Sequence, residues 1–595
     1  MKTNFLELSI VLCFTFLRWK TMEKMNPTVL TAIACGGVGL VLFIKYCNRQ
    51  RVKVKIRNAR SRRDASFQQA EEAIQQFSTN KPDAEHNGIS SLSLAELTER
   101  LQKDCLSPEE VLHAYMKKAL EVNKRLNCAT EILLESCQQL SNIENYRHGL
   151  LYGVPVSIKD NVGYKGHDAT CGLLCKVDNP DEDDCVVVKV LKRQGAIPFI
   201  KTNVPQGLLN YDCANPLFGQ CCNPHNLQKT SGGSSGGEGA LIGGGGSILG
   251  IGTDIGGSIR IPSSFCGICG LKPTANRLSL RGLSSGVRGQ KSVLSSVGPM
   301  ARDVDSLALC MRALLSEDMF TLDPTVPPMP FNDEVYLSTK PLRIGYYEND
   351  GYLMPSPSMS RALRETKELL ERAGHTLVPF TPPRIFHAMH ELIVRGLLAD
   401  GTETLLNNLK GGPVDPCLAP QIIPYRLPSW LKKTLSAILR PIFPRISASF
   451  NAICGVSSIP DLWRQHVSVE EYTHEFIAEW QKIKLDVLLC PMLGPAYNFN
   501  YCGKLTSAIS YTVLYNMLNF PAGVVPVSTV TPDDEAELDK YKGNFGDPWD
   551  KLFVKAVRGA IGLPVAVECV ALPWQEELCL RFMKEVEQLV KDNRK

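Results

Sequence analysis

Apolar and polar positions set out several kinds of element along this chain. Residues 27–44 run without a charge, with Val29, Leu30, Ala32, Ile33, Val38, Leu40, Val41, Leu42 and Phe43 in series. As a helix this stretch would rise about 27 Å, just enough to cross a hydrocarbon core. A cleaved signal peptide is the rival reading, but no small-residue cleavage site follows the run. An earlier apolar patch over 5–17 contains Glu7 and is too short to span. The pattern therefore predicts a transmembrane helix over 27–44, after an extension over 1–26 of open status. Met22 and Met25 stand beside Met1 as possible starts.

A cationic stretch comes next: Lys45, Arg49, Arg51, Lys53, Lys55, Arg57, Arg60, Arg62 and Arg63 outnumber Arg18, Lys20 and Lys24 upstream. Such a bias puts the rest of the chain on the cytosolic side of the membrane. The segment 45–90 reads as basic and helical, and 91–589 as one large domain, because no long polar or proline-rich linker divides it; 590–595 is a short tail. Surface helices are expected over 65–77 and 93–127, with Ser107-Pro108-Glu109-Glu110 as a capping box carrying proline at the first helical position. From Leu150 onward, strand-like runs at 186–191, 196–201, 248–253, 342–346, 487–490 and 524–527 alternate with helical stretches. That alternation predicts an α/β fold around a mixed sheet.

The segment 426–450 breaks the pattern. Leu427, Leu431, Leu435, Ile438 and Ile442 recur at spacings of three and four beside Trp430, with Arg426, Lys432, Lys433, Arg440 and Arg445 around them. Pro441 and Pro444 divide the stretch into two short helices. Either these pack on the core, or they lie in a membrane interface, which the flanking cations and Trp430 favour.

Composition narrows the function classes. A net charge of +4 over 595 residues gives no support to nucleic-acid binding. A chain this long does not need its 21 cysteines as staples; they read as reduced thiols, many in apolar surroundings. Cys266-Gly267-Ile268-Cys269 has a metal-like spacing but no second pair to match, and the 10 histidines include no H-E-x-x-H motif. Neither a metal nor any other cofactor is expected.

Two glycine-built loops carry hydroxyls: Ser231-Gly232-Gly233-Ser234-Ser235-Gly236-Gly237 and Gly256-Gly257-Ser258-Ile259-Arg260. Glycine lets backbone N–H groups approach a ligand closely, so a serine there is a possible nucleophile with oxyanion donors at hand. One such cluster alone is more often a turn. A third segment, Tyr152-Gly153-Val154-Pro155-Val156-Ser157-Ile158-Lys159, reads as a buried strand delivering a lysine, whose desolvation would make it a usable base. Gly232-x-Ser234-x-Gly236 also fits the nucleophile elbow of α/β-hydrolases. That fold needs a late histidine, and the last one here is His474.

Taken together, these three segments resemble the amidase signature family, and within it the membrane-anchored fatty acid amide hydrolases. Tyr164-Lys165-Gly166-His167-Asp168 and Ala571-Leu572-Pro573-Trp574-Gln575 extend the likeness, which runs over about 65–589. The resemblance implies a long twisted mixed sheet surrounded by many helices. It implies Ser258 as nucleophile, Ser234 as proton bridge and Lys159 as base, with the N–H groups of Ile255, Gly256, Gly257 and Ser258 as the oxyanion hole. Leu208 and Ser234 join these in binding substrate, Ser235 is a hydrogen-bond partner behind them, and Leu209, Tyr211, Ile509 and Trp549 line an acyl channel. It also implies lipid amide substrates such as anandamide and oleamide, a homodimer, and a membrane cap over 426–450 led by Trp430, Leu431 and Leu435. The rival to an enzyme is a lipid-binding scaffold that keeps the fold; the joint presence of Lys159, Ser234 and Ser258 speaks against it.

Overall fold

The computed structural model describes residues 27–81 and 88–594, with the side chains at 27, 29, 30 and 32–34 outside the description. The extension expected over 1–26 lies outside the described residues. By contacts the chain divides into two units, 1–57 and 58–595.

Helix α1, Pro27–Asn80, holds what is described of the first unit and continues into the second. Among the described residues no helix is long and apolar enough to cross a membrane. The single-pass anchor expected over 27–44 is therefore not supported.

Within the second unit, Ala59, Ala70 and Phe77 of α1 are buried. Arg60 donates to the carbonyls of Leu217 and Pro216, and Arg62 pairs with Asp168 and Asp178. The second unit thus begins earlier than the boundary expected at 91. Helices α2, Leu94–Gln102, and α3, Pro108–Leu126, make up the helical stretch expected over 93–127. Ser107 and Glu110 form the capping box reciprocally, and Pro108 opens α3. Most of α3 is core rather than surface, with Val111, Leu112, Tyr115, Met116 and Ala119 buried.

The run 186–191, expected as a strand, is helix α4, Val186–Arg193. Its polar residues Lys189, Lys192 and Arg193 fall three and four apart, on one helical face, while Val186, Val187, Val188, Val190 and Leu191 are buried. The strand reading followed β-branched content, which tertiary packing overrode.

The core is an eleven-stranded sheet. In chain order its strands are β1 Ala129–Ile132, β2 Pro155–Lys159, β3 Ile197–Thr202, β4 Leu249–Asp254, β5 Cys269–Lys272, β6 Ser296–Ala301, β7 Arg343–Tyr346, β8 Thr376–Pro379, β9 Val487–Pro491, β10 Ala522–Thr529 and β11 Pro564–Val570. Their spatial order is β1-β3-β2-β4-β6-β5-β10-β11-β9-β7-β8. It is a mixed sheet, as expected: β2 runs parallel to both β3 and β4, while β6, β5, β10 and β11 are antiparallel to their neighbours. Helices cover it, among them α5, Gly236–Gly243, and α6, Arg260–Cys266. The parallel pair β2–β4 aims two strand ends the same way, so Lys159 and Asp254 emerge side by side. In α/β sheets such carboxyl ends are where ligands bind.

The segment 426–450 forms α7, Ser429–Leu439, and α8, Pro444–Ala452, two short helices as the prolines predicted. Trp430, Ile438 and Ile442 are exposed, and Leu431 and Leu435 are half-buried. Two of the expected flanking cations are not on the surface. Arg445 is buried against Asp547 and Asp550, and the Lys432 ammonium is buried and donates to the Ile453 carbonyl. Beyond these helices, α9, Ile459–Lys482, exposes Ile459, Trp463 and Val467 at successive turns, a feature absent from the expectation. The last helix, α10, Glu576–Asn593, runs through most of the expected tail and buries Val590. The twenty described cysteines are all free thiols.

Candidate active site

Lys159 closes β2 and is fully buried. Its Nζ donates to Ser234 Oγ at 2.8 Å, to Thr253 Oγ1 at 2.9 Å and to the Thr253 carbonyl at 3.1 Å. None of these partners is a carboxylate, so little offsets the loss of hydration. Burial pulls the lysine down from its ordinary value to about 7.

Ser234 belongs to the loop between β3 and α5, where the Gly233–Ser234 peptide bond is cis. Ser258 belongs to the turn between β4 and α6, where Gly257 has φ +121° and a side chain would strain the backbone. Ser235 joins the two loops: its N–H donates to the Ser258 carbonyl at 3.0 Å, and its Oγ to the Thr253 carbonyl at 3.3 Å.

Asp254 shapes the second loop. Its carboxylate accepts from the N–H groups of Gly257 at 2.8 Å and Ile259 at 3.0 Å, and from Arg260 through both Nε and Nη2. Burial opposes its charge, but the Arg260 guanidinium outweighs that and holds it well below the usual carboxylate range. Arg260 also reaches Glu568 Oε1 at 2.7 Å, Asn516 Oδ1 at 2.5 Å and the Thr512 carbonyl at 2.8 Å. The Gly257 N–H, expected among four oxyanion donors, is thus engaged by Asp254. Replacing Arg260 by alanine would leave Asp254 and Glu568 buried without their ion-pair partner, with Lys272 as the cation that still acts on both. The expected cost is about 3–5 kcal/mol of stability, read as a lowered denaturant midpoint. A loss below about 1 kcal/mol would show a carboxyl taking up a proton in place of the lost cation.

Ser258 lines two cavities. One, of about 390 Å³, is mostly apolar and is walled by Leu208, Leu209, Tyr211, Ile509 and Trp549, all expected, together with Ile446, Phe450 and Val513, which were not. Ile446 and Phe450 come from α8, so the second of the two helices in 426–450 walls this cavity. Trp549 is held by Arg445, whose guanidinium lies 5.2 Å from its ring centroid. The other cavity, of about 700 Å³, is more polar and touches Ser234, Thr253, Asn161 and Arg281. Ser258 therefore stands where a long apolar arm and a polar group can meet. Thr253 was missed from sequence, where a hydroxyl inside a strand reads as ordinary filler.

The amidase family profile matches residues 110–580. The chain belongs to the amidase family. This amidase is 54% identical to fatty-acid amide hydrolase 1 of Sus scrofa, over 95% of this chain and 97% of that one. It is 38% identical to fatty acid amide hydrolase 1 of Caenorhabditis elegans, over 92% and 97%. A solved structure of a fatty acid amide hydrolase superposes with a TM-score of 0.76 at 26% identity, covering 92% of this chain and 96% of that one. The peptide amidase of Stenotrophomonas maltophilia shares the fold, with a TM-score of 0.60 at 21% identity, over 84% and 97%. The amidase is an amide hydrolase. Its Ser234 faces a lysine rather than a histidine, which disposes of the α/β-hydrolase rival.

Proposed function

We propose that this amidase hydrolyses fatty acid amides through Ser258, Ser234 and Lys159. The observation that carries the reading is the 2.8 Å contact of an un-ion-paired, buried Lys159 with Ser234, in the loop that Ser235 ties to Ser258. Neutral Lys159 takes the proton of Ser234, which takes that of Ser258 as its Oγ attacks the carbonyl carbon. The N–H groups of Ile255, Gly256 and Ser258 hold the negative charge that develops on the carbonyl oxygen. The proton returns by the same path to the nitrogen as the C–N bond breaks, because an amine anion is a very poor leaving group. Water, deprotonated in its turn through Ser234, then releases the fatty acid from Ser258.

The acyl chain occupies the apolar cavity, and the amine faces the polar one. Anandamide and oleamide fit this division. Trp430, Ile438 and Ile442 stand exposed on α7 and the turn after it, next to the α8 residues that wall the channel, and with Trp463 they suit an interface with lipid. A substrate series tests the assignment. Each methylene buried contributes about 0.8 kcal/mol, so kcat/KM for oleamide should exceed that for acetamide by about a hundredfold or more. Comparable values would mean that the cavity does not take the acyl chain.

A further inference from the structure

Beneath the lysine lies a carboxyl that this chemistry does not use. Glu238, on the first turns of α5, is completely buried. Its Oε2 lies 2.5 Å from Ser157 Oγ and its Oε1 2.8 Å from Thr202 Oγ1. Ser157 precedes Lys159 by two residues on β2, and so shares its face of the sheet; Thr202 pairs with Lys159 across β2 and β3. The third side is β4, where a Cβ on Gly250 would lie 1.9 Å from Oε2, so only glycine leaves room for the carboxyl.

Both oxygens meet hydroxyls, and neither meets a cation. A buried carboxylate without a cation is costly enough that such a group takes up a proton instead. The hydroxyls can accommodate that proton. Ser157 Oγ also lies 3.3 Å from the Leu249 carbonyl. A protonated Oε2 can therefore donate to Ser157, which donates on to Leu249, while Thr202 donates to Oε1. Every proton in that chain has an acceptor.

We propose that Glu238 is a positioning residue of the hydrolysis, a neutral carboxyl that ties β2 and β3 together beside Lys159 without supplying the negative charge that would keep the lysine protonated. This rests on the reading of Lys159 as the base. Burial pushes the Glu238 carboxyl up to about 8, against the pull of Ser157, Thr202 and Lys159. The other titratable groups facing the two are Asp254, ion-paired with Arg260, and the thiols of Cys128, Cys171 and Cys213, all raised by burial. A neutral Glu238 leaves Asp254 as the carboxylate nearest the lysine, and Arg260 already claims it.

Two measurements test this. Difference infrared spectra of the full chain at neutral pH should contain a protonated-carboxyl band that disappears in Glu238→Gln. No such band would overturn the proposal, whatever the kinetics. Glu238→Ala should lower kcat for an amide by about tenfold or more, through a displaced lysine. Glu238→Gln, neutral and of the same shape, should recover most of that loss with the acid limb of its kcat/KM profile where the wild type has it. An acid limb moved down by about one pH unit in Glu238→Gln would mean that the carboxyl was ionised and had been raising the lysine. If the alanine variant does not fold, the infrared band and the glutamine profile decide. A wild-type profile with no limb near neutrality would remove Lys159 as base and the proposal with it, and that outcome is separable because the infrared band belongs to Glu238 alone.

Discussion

Replacing Lys159 by alanine is expected to lower amide turnover by about two to four orders of magnitude, the range general acid–base catalysis supplies, and to lower ester turnover much less. The asymmetry follows from the proton path. Lysine does two jobs for an amide, taking a proton during attack and returning it to the departing nitrogen. An alkoxide departs without that second service. The pH profile of the wild type follows from the same group. With the lysine lowered to about 7 by burial, its base form predominates above that pH and is lost below it. Amide kcat/KM should rise through about pH 7 and level off, and in Lys159→Ala that limb should vanish in favour of a steady rise toward alkaline pH. Equal losses for a matched amide and ester at every pH would contradict a lysine that serves as both base and acid.

Ser258→Ala is expected to remove hydrolysis of amides and esters alike, by about three orders of magnitude or more. The loop should keep its shape, because its geometry rests on Asp254, Arg260 and the glycines rather than on the Ser258 hydroxyl. An unchanged melting temperature with lost activity separates the chemical role from a structural one. If substantial activity remained, Ser234, the other loop serine, would become the acylated residue.

Much of this site was legible in the sequence because its residues sit in three short segments whose composition has few other uses. Glycine-rich loops bearing serine, and a strand that ends in lysine, are locally encoded, and Lys159, Ser234, Ser235 and Ser258 fall where the motifs put them. What the sequence concealed was relational. Thr253 and Glu238 matter through neighbours distant in sequence, and Ser157 and Glu238 are 81 residues apart. Arg445 looked like a surface cation of an amphipathic helix, yet Asp547 and Asp550, about a hundred residues on, draw it inward. Gly257 was expected to donate to the substrate, but the aspartate three residues before it takes its N–H first. In the fold, five of six strand-like runs are strands, and 186–191 failed because valine content outvoted the spacing of its charges. The span over 27–44 was read from hydropathy and the cations that follow it, and among the described residues no helix is long and apolar enough to supply it.

The central claim is that Ser258 is acylated, and covalent capture tests it most directly. The full chain would be treated with a serine-reactive fluorophosphonate, digested, and its adduct mapped by mass spectrometry. The account predicts a single modified peptide carrying the adduct on Ser258, with labelling abolished in Ser258→Ala. An adduct on Ser234 or elsewhere, or labelling that persists in Ser258→Ala, would contradict it.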